Sequence, residues 1–240
     1  MNVGSAIDTN FDFRSDTPPG KDPDAYSPTL RRYHKELWSK TLPSGIVFNL
    51  VDTTPGVYLH HRSDAGEFWL SSDAVVPTFT REAKIKHITE QIPQRELDSF
   101  STVGYTIGGM MIFPGNRVGR KVTINTARGF HPRIKDRFDL TVECVRRYYL
   151  GGWSPLSEVL DRYADFLGLF RDFRGYIEFF LLQDMVNEDF SGVRFFSPFD
   201  DFKTSPLPST KKAYAAYMQH AVEFINARNR RILAVGGTSR

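Results

Sequence analysis

The sequence predicts a single α+β domain, with a strand-rich N-terminal half (an antiparallel or mixed sheet) packed against a helical C-terminal half. Three observations carry that expectation. Between residues 45 and 73, three short runs rich in β-branched and aromatic residues alternate with compact turn signals. From residue 134 onward, apolar residues recur at helical spacing. No internal repeat or linker divides the 240 residues. Hydrophobic residues make up 40% and aromatics 14%, enough for a substantial core and too many for a disordered chain.

The elements follow in order. Residues 1–28 contain "RSDTPPGKDPDAYSP" and should form an irregular arm, because Pro, Asp and Gly resist regular pairing. The α+β domain then spans 29–232. Pro28 and Thr29 open a helix, "TLRRYHKELWSK", that stops before Pro43 and Gly45. "GIVFNLVD", "VYLHHR" and "EFWLSSD" read as a meander of three strands separated by "TTPG" and "SDAG". "TREAKIKHITEQI" reads as a helix, and "PQRELDSFSTV" as a second with Pro93 at its start. "YTIGGMMIFPGN" reads as a strand in which Gly108 and Gly109 signal a bulge or a close approach by another group. "VTIN" (122–125) is expected as a further short strand.

The second half predicts helices. Ile134, Phe138, Thr141, Val145 and Tyr148 share one face, as do Leu156, Leu160, Tyr163, Leu167 and Phe170, with Ser154 as the cap and Pro155 at the first helical position. "YIEFFLLQDMV" is apolar nearly all round and should be the central buried helix. Tyr214, Met218, Ala221, Phe224, Ile225 and Ile232 mark an amphipathic C-terminal helix, and residues 233–240 a flexible tail.

Several of these runs together, "DAYSPTLRRYHKELWSK", "YLHHRSDAGEFWLSSD", "GYTIGGMMIFPGN", "DRFDLTVECVRRYYLG", "FRGYIEFFLLQDMV" and "PFDDF", resemble a family of uncharacterised bacterial proteins, a domain of unknown function. The resemblance covers roughly residues 7–232. It implies a bacterial or phage-encoded soluble protein and brings with it no activity, cofactor or catalytic residue.

Composition narrows the function classes. No apolar run approaches the roughly 20 residues of a membrane-spanning helix, so no membrane partner is expected. The first residues lack a basic region followed by an apolar one, so no secretory signal is expected and a cytoplasmic location is. The single Cys144 excludes an intramolecular disulfide and a Cys-based zinc cluster. It lies beside an apolar stripe and should be a buried, unreactive thiol. Net charge is +3 but unevenly spread. Residues 117–147 carry seven Arg and two Lys against three acids, a net of +6. Residues 155–202 carry ten acids against four Arg, a net of −6. The two segments either attract each other across the fold or leave the basic one free for an anion or nucleic acid.

Two stretches are candidates for chemistry. In "YLHHR", strand alternation places Tyr58, His60 and Arg62 on one face and Leu59 and His61 on the other. If Leu59 points to the core, His60 can serve as acid or base and Arg62 can hold a phosphate. The bland alternative is a polar exposed strand face. In "TINTARGFHPRIKD", a strand ending near Asn125 followed by a turn and a helix start near Ile134 or Asp136 would offer backbone N–H groups to an anion. Arg128 would clamp that anion, with His131 as a second acid or base. The spacing matches no named phosphate loop, and the alternative is a structural turn in which Asp136 caps the helix and Arg128 pairs with an internal acid. His60, His61, His87 and His131 show no metal-ligand spacing, so no metal is expected. Ser71, Ser72 and Asp73 end a strand without the "GxSxG" of a nucleophile elbow and read as turn chemistry. No motif names a cofactor.

The functional expectation is therefore a protein that binds or acts on a phosphorylated ligand, a nucleotide or nucleic acid. His60 and His131 would be its catalytic groups, and Arg62, Asn125 and Arg128 its ligand-binding groups. The alternative is a non-catalytic protein-interaction module, such as a phage or defence accessory protein.

Overall fold

The computed structural model describes residues 7–237; the first six residues of the arm and residues 238–240 of the tail lie outside the described residues. Its sheet has four strands, β1 (Leu50–Asp52), β2 (Leu59–Ser63), β3 (Gly66–Ala74) and β4 (Met110–Pro114), in the order β1-β2-β3-β4 with every neighbour antiparallel. The expected meander is present, and the antiparallel form of the sheet is the one adopted. "GIVFNLVD" yields only three strand residues. The Phe48 N–H donates back to the Lys40 carbonyl and the Asn49 N–H to His61 Nδ1, so the chain before Leu50 is spent on other partners. Strand alternation buries Leu59, His61, Leu70 and Ser72 on one face, and β4 is buried throughout.

Helices surround the sheet. The arm contains a one-turn helix, α1 (Pro23–Tyr26), which leads directly into α2 (Pro28–Trp38). Phe13 is fully buried, and Asp16 accepts from Ser27 Oγ and the Thr29 N–H, so the arm is tied to the body at residues 13–29. Between β3 and β4 run α3 (Lys86–Thr89) and α4 (Gln94–Gly104). "VTIN" is not a strand. The Thr123 hydroxyl accepts from the Thr126 N–H, and this cap starts α5 (Ile124–Phe130), so local capping overrides the β-branched bias. Lys135 and Asp136 have positive φ (48° and 65°), which delays the next helix, α6, to Phe138–Tyr149.

The expected helix over 154–171 divides into α7 (Ser157–Asp161) and α8 (Ala164–Gly168). Ser154 Oγ does accept a backbone N–H, that of Leu156, but the helix begins two residues after Pro155. The apolar residues of "YIEFFLLQDMV" are buried as expected, yet the stretch is not one helix. α9 (Phe173–Phe179) ends there because Leu181 adopts φ 56° and the next residues form a 3-10 turn, Gln183–Met185. The freed Phe180 carbonyl accepts from Arg228 Nε and Nη2.

Arg228 belongs to α10 (Lys211–Gly237), which extends the C-terminal helix into the stretch expected as tail. Its guanidinium is fully buried and also donates to the carbonyls of Gly108 and Met110, so α10 is stapled to both β4 and the end of α9. Gly108 lies in a 3-10 turn rather than a bulge, and the expected close approach is real. A Cβ there would stand 2.5 Å from the Ile225 carbonyl oxygen, and the Gly108 N–H donates to Asn229 Oδ1. Among the described residues no helix is long and apolar enough to cross a membrane.

Candidate functional site

The end of β3 shows how strand alternation distributes chemistry. Ser72 points into the core, where Trp38 Nε1 donates to His34 Nδ1 and His34 Nε2 lies 2.9 Å from Ser72 Oγ. Burial pushes His34 down to about 3, so this imidazole is a neutral core group. Ser71 and Asp73 point the other way, toward α5, which covers that end of the sheet. Asn125 Nδ2 donates to Ser71 Oγ (2.9 Å), and Arg128 Nη1 donates to Asp73 Oδ2 (2.6 Å).

Arg128 was expected as an anion clamp, and its surroundings correct that expectation. The side chain is fully buried. Nη1 also pairs with Asp136 Oδ1 (2.6 Å), Nη2 donates to the Asp136 carbonyl, and Nε donates to Thr141 Oγ1. The guanidinium lies over the Phe113 ring. Burial by itself would lower its pKa, but Asp136 and Asp73 more than offset this and raise it. Every face of the guanidinium is already engaged, so the internal-pairing alternative is the arrangement observed. Nor does Asp136 cap the helix; it faces Arg128, and Arg137 occupies the cap position and pairs with Asp139.

His131 is also displaced from the expected cluster. It sits at the C-terminal cap of α5, whereas Asn125 lies in the first turn of that helix. Its Nδ1 accepts from the Arg133 N–H, and burial together with the Arg133 charge lowers its pKa. His61 is a core residue, stacked on Phe48 with ring centroids 3.8 Å apart. Among the described residues no group of three His, Cys, Asp or Glu side chains is placed to hold a metal ion.

His60 and Arg62 lie on one face of the sheet, and Asn125 reaches Ser71 further along that same face, which holds features the sequence did not make explicit. The β2–β3 register sets His60 opposite Trp69 and Arg62 opposite Glu67. His60 stacks on the Trp69 indole at 5.2 Å and 11°, and its Nε2 lies 2.7 Å from Glu67 Oε1. Trp69 is 40% exposed and Tyr58, two residues before His60, is 50% exposed. Gly115 brings the next segment against them. Its N–H donates to the Trp69 carbonyl, and a Cβ on it would stand 2.7 Å from the Tyr58 ring. The following turn carries Arg117, Arg120 and Lys121, all exposed, and among the described residues neither they nor Arg62 form an ion pair.

The uneven charge of the chain is thereby resolved into two parts. Residues 133–147 turn toward protein: Arg147 pairs with Glu143 and with Asp201 of the acidic segment, Arg137 with Asp139, and Lys135 with Glu82. Residues 117–121 turn toward solvent. Reading "EFWLSSD" in register with "YLHHR" would have found Trp69 beside His60, but the approach of the basic turn depends on β4 lying next to β3.

No curated protein and no solved structure matches the chain. Residues 7–232 match the family of unknown function DUF6994, and the chain belongs to that family.

Proposed function

We propose that the exposed sheet face binds single-stranded nucleic acid, with bases stacking on Trp69 and Tyr58 and phosphates meeting Arg62, Arg117, Arg120 and Lys121. The observation that carries this reading is the Trp69–His60 stack, with Trp69 40% exposed, on a sheet face that also presents Arg62 and is followed by the turn of Arg117, Arg120 and Lys121, four exposed cations that form no ion pair among the described residues. Aromatic platforms beside a basic track suit unpaired strands, because every base has a face to stack and every phosphate a charge to neutralise. Asn125 adds a polar group at the border of the face. Its Nδ2 is held by Ser71 and its buried Oδ1 accepts no hydrogen bond. In this reading the phosphorylated-ligand expectation keeps His60, Arg62 and Asn125 and gives up Arg128 and His131.

The test is fluorescence anisotropy with a labelled oligothymidine of about 12 nucleotides and a duplex of equal length. The single strand binds more tightly, and its affinity falls with salt at a log–log slope no steeper than about −3, since four phosphate contacts release about 0.7 counterions each. Trp69→Ala weakens binding about 5- to 160-fold, the range that loss of one base–aromatic stack produces. An affinity unchanged by Trp69→Ala, or no binding at low salt, would overturn the proposal. The latter result would favour a protein-docking role, for which the exposed Leu150 and Trp153 after α6 are the surface to examine.

A further inference from the structure

A second locus runs along α10. The segment 193–199 lies against that helix and is fixed by several separate bonds. Val193 pairs with Val186, the Arg194 N–H donates to the Met185 carbonyl, and the Phe196 N–H donates to Asp139 Oδ2. From α10, His220 Nδ1 donates to the Phe196 carbonyl (3.0 Å). Two cavities open between the segment and the helix, of about 410 and 360 Å³, and they share Phe195, Phe196 and His220. They form one groove of small-molecule size whose walls are already in place. Its two ends differ in chemistry. One end is lined by Pro198, Phe199, Ala213 and Ala216 and has no Lys, Arg, Asp or Glu among its lining residues. Phe195 and Phe199 stack there with centroids 4.2 Å apart, and the alanines of α10 are small enough to leave the groove its depth. The other end carries Arg194 and Arg230, both exposed and without an ion pair among the described residues. Two acids share that end. Asp184 is held through both oxygens by Arg231 (3.0 Å each), and Glu223 Oε1 accepts from Gln219 Nε2. Counting Arg231, three arginines meet two carboxylates, a surplus of one positive charge.

We propose that this groove binds an amphiphilic monocarboxylate, a medium-chain acyl anion, with its carboxylate between Arg194 and Arg230 and its chain laid past Phe195 toward Ala213. The gradation along the groove selects that class. Guanidinium forks match a carboxylate, and these two are not spent on internal acids. An inorganic anion would use the charged end alone and leave the aromatic end wet. A neutral hydrocarbon would use the aromatic end alone and leave the arginines without a counterion. A molecule with both parts removes CH2 groups from water while its head neutralises the surplus charge. The bonds that hold 193–199 in place keep the ordering cost of binding low. About 16 Å of α10 separate Ala216 from Ala227, so a longer chain continues to gain contact. The groove shares no residue with the aromatic sheet face and does not rest on its assignment.

Isothermal titration of the full chain tests this, with octanoate as the probe and decanoate as its longer homologue. 1-Octanol and octylammonium chloride are the neutral and cationic molecules of equal chain length. Decanoate is expected to bind about 4- to 15-fold more tightly than octanoate, because each added CH2 is worth about twofold when half covered and about fourfold when fully buried. 1-Octanol and octylammonium are expected to bind at least about tenfold more weakly than octanoate, the size of a lost charge-assisted hydrogen bond. Replacing both arginines, Arg194→Gln with Arg230→Gln, lowers octanoate affinity by a similar factor and leaves 1-octanol unchanged. Both positions are exposed, so this variant should unfold in urea as the wild type does. Ala216→Trp, on the exposed side of α10, fills the apolar end and removes the advantage of decanoate. No octanoate heat at millimolar concentration, equal binding of octanoate and octylammonium, equal binding of octanoate and decanoate, or an octanoate affinity unchanged in the double variant would each overturn the proposal.

Discussion

Arg128→Met is the perturbation that probes the centre of the molecule most directly. The substitution keeps most of the side-chain length and removes the charge, leaving the carboxylates of Asp73 and Asp136 without their cation. Breaking a fully buried pair by removing one partner costs about 3–5 kcal/mol. Here Asp73 is 25% exposed and Asp136 34%, so water reaches both survivors and the lower end, about 3 kcal/mol, is expected. The loss depends on pH, and its sign follows from linkage. The folded-state pKa of Asp73 is about 7 against an ordinary 3.8, so between those values the folded protein holds a proton that the unfolded chain has released. Stability tied to this carboxyl is therefore full below about pH 4 and is lost as pH rises toward 7. Without Arg128 the folded pKa climbs further, so the variant continues to lose stability above pH 7 where the wild type has levelled off. Urea unfolding at about pH 6 and about pH 8.5 should show a larger gap between the two proteins at the higher pH. A loss under about 1 kcal/mol at both values, or a gap that narrows with rising pH, would refute the internal-pairing role. So would a stabilisation by inorganic phosphate that the wild type gains and the variant does not, since a fully engaged guanidinium predicts equal gains.

Two further outcomes follow from packing. Gly108→Ala should cost about 1–3 kcal/mol in the same urea assay, because its Cβ would fall 2.5 Å from the Ile225 carbonyl and 2.6 Å from Asn229 Oδ1, forcing α10 away from the turn; a neutral result would mean that α10 is not seated there. Cys144 is fully buried and its thiol is pushed up to about 12 by burial, so labelling by a disulfide reagent at about pH 8 should proceed only as fast as the protein opens. Labelling in seconds would contradict that burial.

Local patterns in the sequence determined much of the architecture. Alternation in "YLHHR" and "EFWLSSD" between turn signals specified a hairpin and the face on which His60 and Arg62 lie, because a strand's period of two leaves no freedom in which residues share a side. The apolar stripe of α10 and the burial of Phe180 were legible for the same reason: solvent exclusion leaves a periodic mark on composition. The helix breaks at Leu181 and at Lys135–Asp136 left no such mark, since non-glycine residues with positive φ are held there by surrounding contacts rather than by their own preference. Long-range partners were equally hidden. Arg128 could be recognised as a residue suited to binding carboxylate or phosphate, but the choice between them was made by Asp73, 55 positions away on a strand that β4 and α5 bring into reach. Sequence spacing records which groups a chain carries and which face of an element they occupy. Whether a charge is neutralised inside the protein or left for a ligand depends on burial and on distances between elements, and those exist only once the chain has folded.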